Sequence, residues 1–408
     1  MTFRKPRALF LVHRIPFPPD KGDKIRSWQI FKLLSQKFDL YAGFFIDDEA
    51  DYQHVEYLQD FCAEINAVSL SPRRAKLKSL SGLLSGQPLS FPYYSSRDMK
   101  EWVKGVRATG LEVEVIFSSS MFPYAADAAA PVITDLCDAD SAKWKAYSDR
   151  QGFPMSAIYQ REARLLSRAE AAITQKSAAS FLITPEEAAI VKQHPEADPY
   201  KVGTFGNGVD IDYFDPGAEL SVEVPQNSIV FTGAMDYEPN IEAVIWFAEH
   251  VWPELIKQDA DRTWAIVGAR PVAAVKALSR LPGVKVTGRV DDIRPWLSGA
   301  KVAVAPLQIA RGLQNKVLEA MAMAKAVIAS PGAAEGLCVT PGRDLIIAES
   351  PTAYMREISR LLSDGSSRQT LGNRARDVIE NRYSWTAQLQ PLSQKLDEII
   401  EAKLGPTH

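Results

Sequence analysis

VAVAPLQIARGLQNKVLEAMAMAKAVIAS, residues 302–330, is the stretch whose reading decides the fold. VAVAPL (302–307) is an apolar, β-rich run of strand length, and AVIASP (326–331) is a second. Between them, LQNKVLEAMAMAK places its apolar residues at helical spacing. Apolar strands separated by a helix imply a parallel sheet covered on both faces.

The pattern extends in both directions. LIIAE (345–349) comes after it, and SIVFTGAM (228–235), TWAIVGA (263–269) and VKVTGRV (284–290) precede it. Further upstream lie ALFLVH (8–13), LYAGFFI (40–46), INAVSL (65–70), VEVIFSS (113–119), PVITDL (131–136) and SFLIT (180–184). Helix-like segments such as IRSWQIFKLLSQ and YQREARLLSRAEAAI stand between these runs. Residues 203–227, GTFGNGVDIDYFDPGAELSVEVPQN, are rich in Gly, Asp and Pro and read as an interdomain linker. With 408 residues, the chain exceeds one core of usual size and divides into two domains of about 200 residues. The expectation is an α/β chain of two doubly wound, Rossmann-like domains facing a cleft. The first spans 1–205 and is completed by a C-terminal helix, 385–408; the second spans 206–384. Ligands in such sheets bind beyond the carboxyl ends of the strands, so the loops there are where chemistry is sought.

Composition narrows the classes. The chain is 46% hydrophobic and 24% charged, which argues for a folded protein. With a net charge of −3, nothing points to a general nucleic-acid binder, though a local basic patch remains open. Cys62, Cys137 and Cys338 are far apart and lack CxxC spacing, so no disulfide framework or zinc site is expected and a reducing cytoplasm fits. The opening MTFRKPRALFLVHRIPF has only a short apolar run and reads as a first buried strand, not a signal peptide. No stretch reaches the roughly 18 apolar residues needed to span a bilayer.

The loop QIARG and the helix after it form the strongest constellation. Gly312 lets backbone approach a ligand closely. The first helical turn offers free N–H groups and the positive end of the dipole, which suits a phosphate. Lys316 adds a point charge near that turn, and Glu319 lies beside it on the same face. A carboxylate there accepts two hydroxyl hydrogen bonds, as a ribose diol requires. The same residues also fit an amphipathic helix with a surface Lys–Glu pair, and on physics alone the two readings stand level.

KVLEAMAMAKAVIAS resembles the signature of the family-4, GT-B glycosyltransferases, whose usual form is K-x-x-E-A-M-A-x-G-x-P-V-V. The resemblance implies that Glu319 binds the donor ribose, and that Lys316 and the backbone before it face the diphosphate. GRVDDIRPWLSGAKVAVAPL matches the strand, loop and helix before that site; NGVD (207–210) matches the interdomain linker, and YSW (383–385) the return to the first domain. In the first half, HRIPFPPDKGDKIRSWQIFKLLS, TDLCDADSAKW and YQREARLLSRAEAAITQKSAASFLITPEEA are similar to a narrower subfamily: the sugar transferases of exosortase and PEP-CTERM exopolysaccharide systems. The resemblance implies a nucleotide-sugar donor and a glycan or lipid-linked acceptor, with retention of anomeric configuration. No metal or other cofactor and no nucleic acid is expected. The expected location is the cytoplasm, with the inner face of the plasma membrane as an open alternative.

Two departures stand out. Many relatives carry a second glutamate eight residues before the ribose-binding one, where this chain has Arg311. Many also carry a phosphate-clamping Arg and Lys after the first strand of the second domain, where this chain reads TGAMDYEPNIEAV with no basic residue. Leaving-group stabilisation is mostly electrostatic, so cations must come from elsewhere. Lys316, Arg289 and Arg311 are the candidate catalytic groups. Gly22, Gly268, Arg289, Val290, Gly312, Leu313, Gln314, Asn315, Lys316 and Glu319 are the candidate nucleotide-binding set.

Four other features have two readings each. In PFPPDKGDKIR (16–26), Gly22 permits close backbone approach, and Lys21, Lys24 and Arg26 either face phosphate or are solvated lysines and arginine of a proline-rich turn. Asp138-Ala139-Asp140, just past Asp135, is formally a metal-binding DxD, but also fits an acceptor-facing loop or a helix cap. His13 ends the first strand as a substrate contact or as a partly buried strand end. RRAKLKSLSGLL (73–84) sets Arg73, Arg74, Lys76 and Lys78 among Leu77, Leu80 and Leu84; it fits an anionic membrane surface or a core-facing helix with a solvated basic side. The function readings are a sugar transferase, a nucleotide-sugar 2-epimerase, for which no acid–base set is visible in the second domain, and a non-catalytic binder of the same donor.

Overall fold

The computed structural model describes residues 5–220, 226–310 and 313–404. Arg311 and Gly312, and the side chain of Leu84, lie outside the described residues. The chain forms two compact units: Met1–Asn207 with Gln388–His408, and Gly208–Ala387.

The first unit is built on seven parallel strands: β1 (Arg7–Val12), β2 (Asp39–Ile46), β3 (Glu64–Ser69), β4 (Val113–Phe117), β5 (Val132–Cys137), β6 (Ala179–Leu182) and β7 (Val202–Thr204). Their order is β3-β2-β1-β4-β5-β6-β7. The second unit has six parallel strands: β8 (Asn227–Thr232), β9 (Trp264–Val267), β10 (Val284–Val286), β11 (Ala300–Ala305), β12 (Ala326–Ala329) and β13 (Ile346–Ile347), in the order β10-β9-β8-β11-β12-β13. Central strands such as β4, β9 and β12 are buried throughout, because helices cover both faces and leave no position for a solvated side chain. In each sheet the chain reverses its direction of winding once, between β1 and β4 and between β8 and β11. These are the topological switch points where ligands of such sheets bind.

The helices that carry the candidate residues or pack beside them are α1 (Gly22–Lys37), α2 (Pro72–Ser79), α3 (Ser81–Ser85), α4 (Asp140–Arg150), α5 (Met155–Lys176), α6 (Glu238–His250), α7 (Asn315–Ala322), α8 (Gly365–Val378) and α9 (Gln390–Leu404). None of the described helices is long and apolar enough to cross a membrane. All three cysteines are unpaired thiols.

The stretch expected to be linker begins inside the sheet. Gly203 and Thr204 pair with Phe181 and Leu182 as the edge strand β7. A side chain at Gly203 would press on the Phe181 ring, with Cβ 2.9 Å from it, so the glycine is what allows the pairing. The outgoing and returning segments are each held to one another within their own unit. The Gly206 N–H donates to Gln388 Oε1 (2.7 Å) in the first, and the Val209 N–H donates to the Tyr383 carbonyl (2.7 Å) in the second. Helix α9 belongs to the first unit, where Lys403 Nζ donates to the Leu111 carbonyl at 2.9 Å.

Helix α7 ends against α8: Arg376 donates to the Ala322 carbonyl at 2.7 Å. Two residues later Ala324 adopts φ 51°, a left-handed conformation that a side chain disfavours. Ala324→Gly is expected to stabilise the second unit by about 0.5–1 kcal/mol, the relief of strain exceeding glycine's added unfolded-state entropy. Urea unfolding checks it; a lowered midpoint would mean that the turn carries no strain.

Candidate functional site

The second sheet builds its site where β8 and β11 diverge. Gly233 follows β8 and Gly268 follows β9. A Cβ at Gly268 would lie 1.6 Å from the Gly233 carbonyl oxygen, so the two strand ends approach closely enough to admit no side chain there. The requirement for glycine at 268 is therefore set by packing. A Cβ at Gly233 would lie 2.6 Å from Asn240 Nδ2 and 3.3 Å from Lys316 Cε, so the bare backbone of Gly233 makes room for Lys316.

Helix α7 brings Lys316 there. Its buried residues Val317, Leu318, Ala320, Met321 and Ala322 pin it to the sheet. Asn315, Lys316 and Glu319 stay exposed or half-buried. Among the described residues no side chain caps its N-terminus, where the Gln314 carbonyl accepts the Val317 N–H at 2.9 Å. Lys316 Nζ lies 3.4 Å from Gln314 Oε1 and 5.7 Å from the centre of the Phe231 ring. Burial lowers the Lys316 pKa to about 8, against the pull of Glu319. Burial pushes Glu319 up to about 7, against Lys316. Each group is thus held where its charged form is penalised, and the Glu319 carboxylate accepts no hydrogen bond among the described residues. A phosphate beside Lys316 and a diol beside Glu319 would relieve both penalties.

The remaining candidate residues of this unit that are described, Arg289, Val290 and Leu313 to Asn315, follow strands of the same sheet. Arg289 is exposed just past β10 and has no ion-pair partner among the described residues; Val290 beside it is half-buried. Leu313 is exposed and Gln314 half-buried before α7, and Arg311 and Gly312 are outside the described residues. Two residues at this edge are not apparent from the sequence. Arg270, in the loop after β9, reaches into the loop after β8 and pairs with Asp236, its Nη2 3.2 Å from Oδ1. A cation therefore stands at the β8 loop although that loop contains none of its own. The second is Asn240 of α6, whose Nδ2 donates to the Ala234 carbonyl (2.8 Å) while its buried Oδ1 has no partner among the described residues. For Arg270 the only local signal is an arginine directly after a strand end.

In the first unit the loop after β1 is arranged differently from the expectation. Gly22 opens α1, exposed, with nothing within 4 Å of where a Cβ would stand, and Lys21 is exposed beside it. Lys24 and Arg26 do not face a ligand. Lys24 is 1% exposed and pairs with Asp51 at 2.9 Å. Arg26 is fully buried and grips Asp135 with two hydrogen bonds of 2.7 and 3.0 Å. It also donates to the Phe205 carbonyl and lies 3.9 Å over the Phe205 ring. Two positions apart, Lys24 and Arg26 leave α1 on different sides, and each is buried against its own carboxylate, where only a paired cation is tolerated. Asp135 is consumed by that pair. Asp138 is exposed, and Asp140 begins α4 with Ala139 as the cap residue, so neither carboxylate caps the helix. Burial raises the Asp140 pKa, against a hydrogen bond from Ser119 (3.1 Å). Among the described residues no three His, Cys, Asp or Glu side chains are grouped to hold a metal ion.

His13 sits at the switch point between β1 and β4. Its ring stacks on Phe117 with centroids 5.5 Å apart, and its Nε2 is 3.4 Å from Asp23 Oδ2. Burial opposes the charge of Asp23, but His13 and Arg14 outweigh it and hold the carboxyl well below its usual range.

Residues 226–364 match the family model of the glycosyl transferases group 1. Over those residues the second unit is similar to the group 1 glycosyltransferases. The match contains β8 through α7, so Gly233, Lys316 and Glu319 all lie within the matched segment. Among curated proteins, the D-inositol 3-phosphate glycosyltransferase of Corynebacterium diphtheriae is 24% identical over 250 residues, covering 55% of this chain and 57% of that protein. Its counterpart in Corynebacterium efficiens is 24% identical over 245 residues, covering 54% of this chain and 56% of that protein. The chain thus spans little more than half the length of the curated relatives it matches. Among solved structures, a glycosyltransferase from Rickettsia africae aligns with a TM-score of 0.61 at 14% identity, over 98% of this chain and 100% of that one. Anabaena HepE in complex with UDP aligns with a TM-score of 0.60 at 13% identity, over 96% of this chain and 100% of that one. These likenesses establish the GT-B fold, two Rossmann-like α/β units, expected from the sequence.

Proposed function

We propose that the chain is a glycosyltransferase that moves a sugar from a nucleotide-sugar donor to a glycan or lipid-linked acceptor, with retention of configuration, in exopolysaccharide synthesis. The donor is bound by the second unit. Its diphosphate lies against the first turn of α7, its ribose diol on Glu319, and its nucleotide is lined by Gly268, Val290 and residues 312–315. Cleavage of the bond between the anomeric carbon and the phosphate oxygen releases a nucleoside diphosphate, and Lys316, Arg289 and Arg311 stabilise that charge. The acceptor is held by the first unit, on the side of Gly22, and the exosortase/PEP-CTERM sugar transferases are the nearest functional setting. No metal takes part in this reading. One observation carries it: Lys316 and Glu319 stand together at the switch point of the second sheet, each carrying a charge penalty that a ribose diphosphate removes.

A thermal-shift panel of nucleotide sugars tests the reading, since a ligand that binds only the folded form raises the melting temperature. The donor needs ionised Glu319 and protonated Lys316. Its affinity is therefore expected to fall as pH drops below about 7 and again as pH rises above about 8. A flat profile across that range, or no stabilising nucleotide sugar, counts against the site. A non-catalytic binder of the same donor is the second reading, favoured by Arg270 being already neutralised by Asp236. Nucleoside diphosphate released during transfer to an acceptor excludes it.

A further inference from the structure

Helices α2 and α3 form one nearly continuous helical segment, with Leu80 right-handed at the joint. The side that packs onto the first unit is made of small residues. Ala75 is buried, and Gly82 is buried with its carbonyl accepting from Arg161 of α5 at 2.5 Å. A Cβ at Gly82 would lie 3.1 Å from the Gln87 carbonyl, so the helix packs tightly there. The large apolar side chains point the other way: Leu77 is 72% exposed, Leu80 53% and Leu83 39%. Leu77 and Leu80 therefore do not face the core, as one of the two sequence readings required; the Leu84 side chain lies outside the described residues.

The charge around these leucines is of one sign. Arg73, Arg74, Lys76 and Lys78 are all exposed, and among the described residues Lys78 alone of the four has a side-chain hydrogen bond, to the Ser95 carbonyl. From Ser71 to Ser96 the sequence contains no Asp or Glu, although the whole chain carries a net charge of −3. The segment therefore offers apolar side chains and cations without a single compensating carboxylate of its own. A protein interface core is enriched in aromatic residues and depleted in lysine and serine, whereas residues 73–83 have no aromatic residue, two lysines and two serines beside their two arginines. An anionic bilayer fits both features: leucines enter the acyl boundary while lysine and arginine extend along it to lipid phosphates.

We propose that α2 and α3 dock the first unit onto a membrane surface rich in anionic lipid. The proposal is independent of the donor site and concerns peripheral contact only.

The test is co-sedimentation of the full chain with vesicles, at near-physiological salt. One set is phosphatidylcholine with about one-third phosphatidylglycerol, the other phosphatidylcholine alone. The chain is expected to bind the anionic vesicles at least about ten-fold more strongly. A Leu77→Asp/Leu80→Asp variant and an Arg73→Ser/Arg74→Ser/Lys76→Ser variant are each expected to lose at least about ten-fold of that binding, with the melting temperature of the wild type because every altered side chain is exposed. Three results overturn the proposal: no preference for anionic vesicles; leucine and basic variants that bind like the wild type; or a wild-type dimer in sedimentation equilibrium that Leu77→Asp/Leu80→Asp dissolves. The last would assign the face to a second copy of the chain.

Discussion

Glu319→Ala is expected to remove donor binding, weakening it by more than about 100-fold. Glu319 is held half-buried at the switch point of the second sheet, its pKa pushed up to about 7 by burial, with only Lys316 to favour its charge. A carboxylate kept at that cost and accepting no hydrogen bond is poised for two hydroxyl donors. Hydrogen bonds to a charged group contribute about 1.5–3 kcal/mol each, so losing a pair costs at least about 3 kcal/mol, or more than 100-fold. Glu319→Gln keeps one acceptor and the shape, and should lose roughly 10-fold. Calorimetry with the donor found by thermal shift reads both. Neither substitution should destabilise the ligand-free fold, because each removes a desolvated charge. That separates binding from folding: a variant that melts like the wild type and binds the donor equally well would remove Glu319 from the site.

Arg26→Ala is expected to destabilise the first unit by about 3–5 kcal/mol, because it leaves Asp135 buried and unpaired. Both partners are almost wholly inaccessible, with Asp135 1% exposed. The substitution also frees the Phe205 carbonyl and Asn207 Oδ1, at 3.1 and 3.2 Å from the guanidinium. Arg26→Met with Asp135→Leu should recover most of the loss, since exchanging a buried ion pair for apolar residues of similar volume is often neutral. Urea unfolding followed in the single and double variants checks this. Were Arg26 a phosphate ligand, the single substitution would instead leave stability near that of the wild type and weaken substrate binding.

The residues involved in these two predictions show where local sequence informs and where it does not. Lys316 and Glu319 lie three residues apart on one short helix, so their proximity follows from helical periodicity. Arg26 and Asp135 are separated by 109 positions, and their pairing depends on β5 lying two strands from β1 in the sheet order. Nothing in PFPPDKGDKIR distinguishes an arginine that meets substrate from one that turns inward to a partner over a hundred residues away. The same holds for Arg270. Its position after a strand was visible, but its return to Asp236 in the neighbouring loop needed β8 and β9 to be adjacent. At Gly268 the need for a glycine comes from the Gly233 carbonyl in the neighbouring strand end, a contact that local sequence does not show.

By itself, the sequence determined two parallel-sheet α/β units and the helix at 315–322 that follows a buried strand. Apolar runs and helical periods are local, and burial on both faces forces them into strands and crossovers. Tertiary structure alone decided which charged residues remain available. It turned Lys24 and Arg26 inward, brought Arg270 to a loop without cations, left Lys316 and Glu319 half-buried, and set Leu77, Leu80 and Leu83 outward. The physical reason is that a charge's environment is set by neighbours distant in sequence, and those neighbours are chosen by strand order.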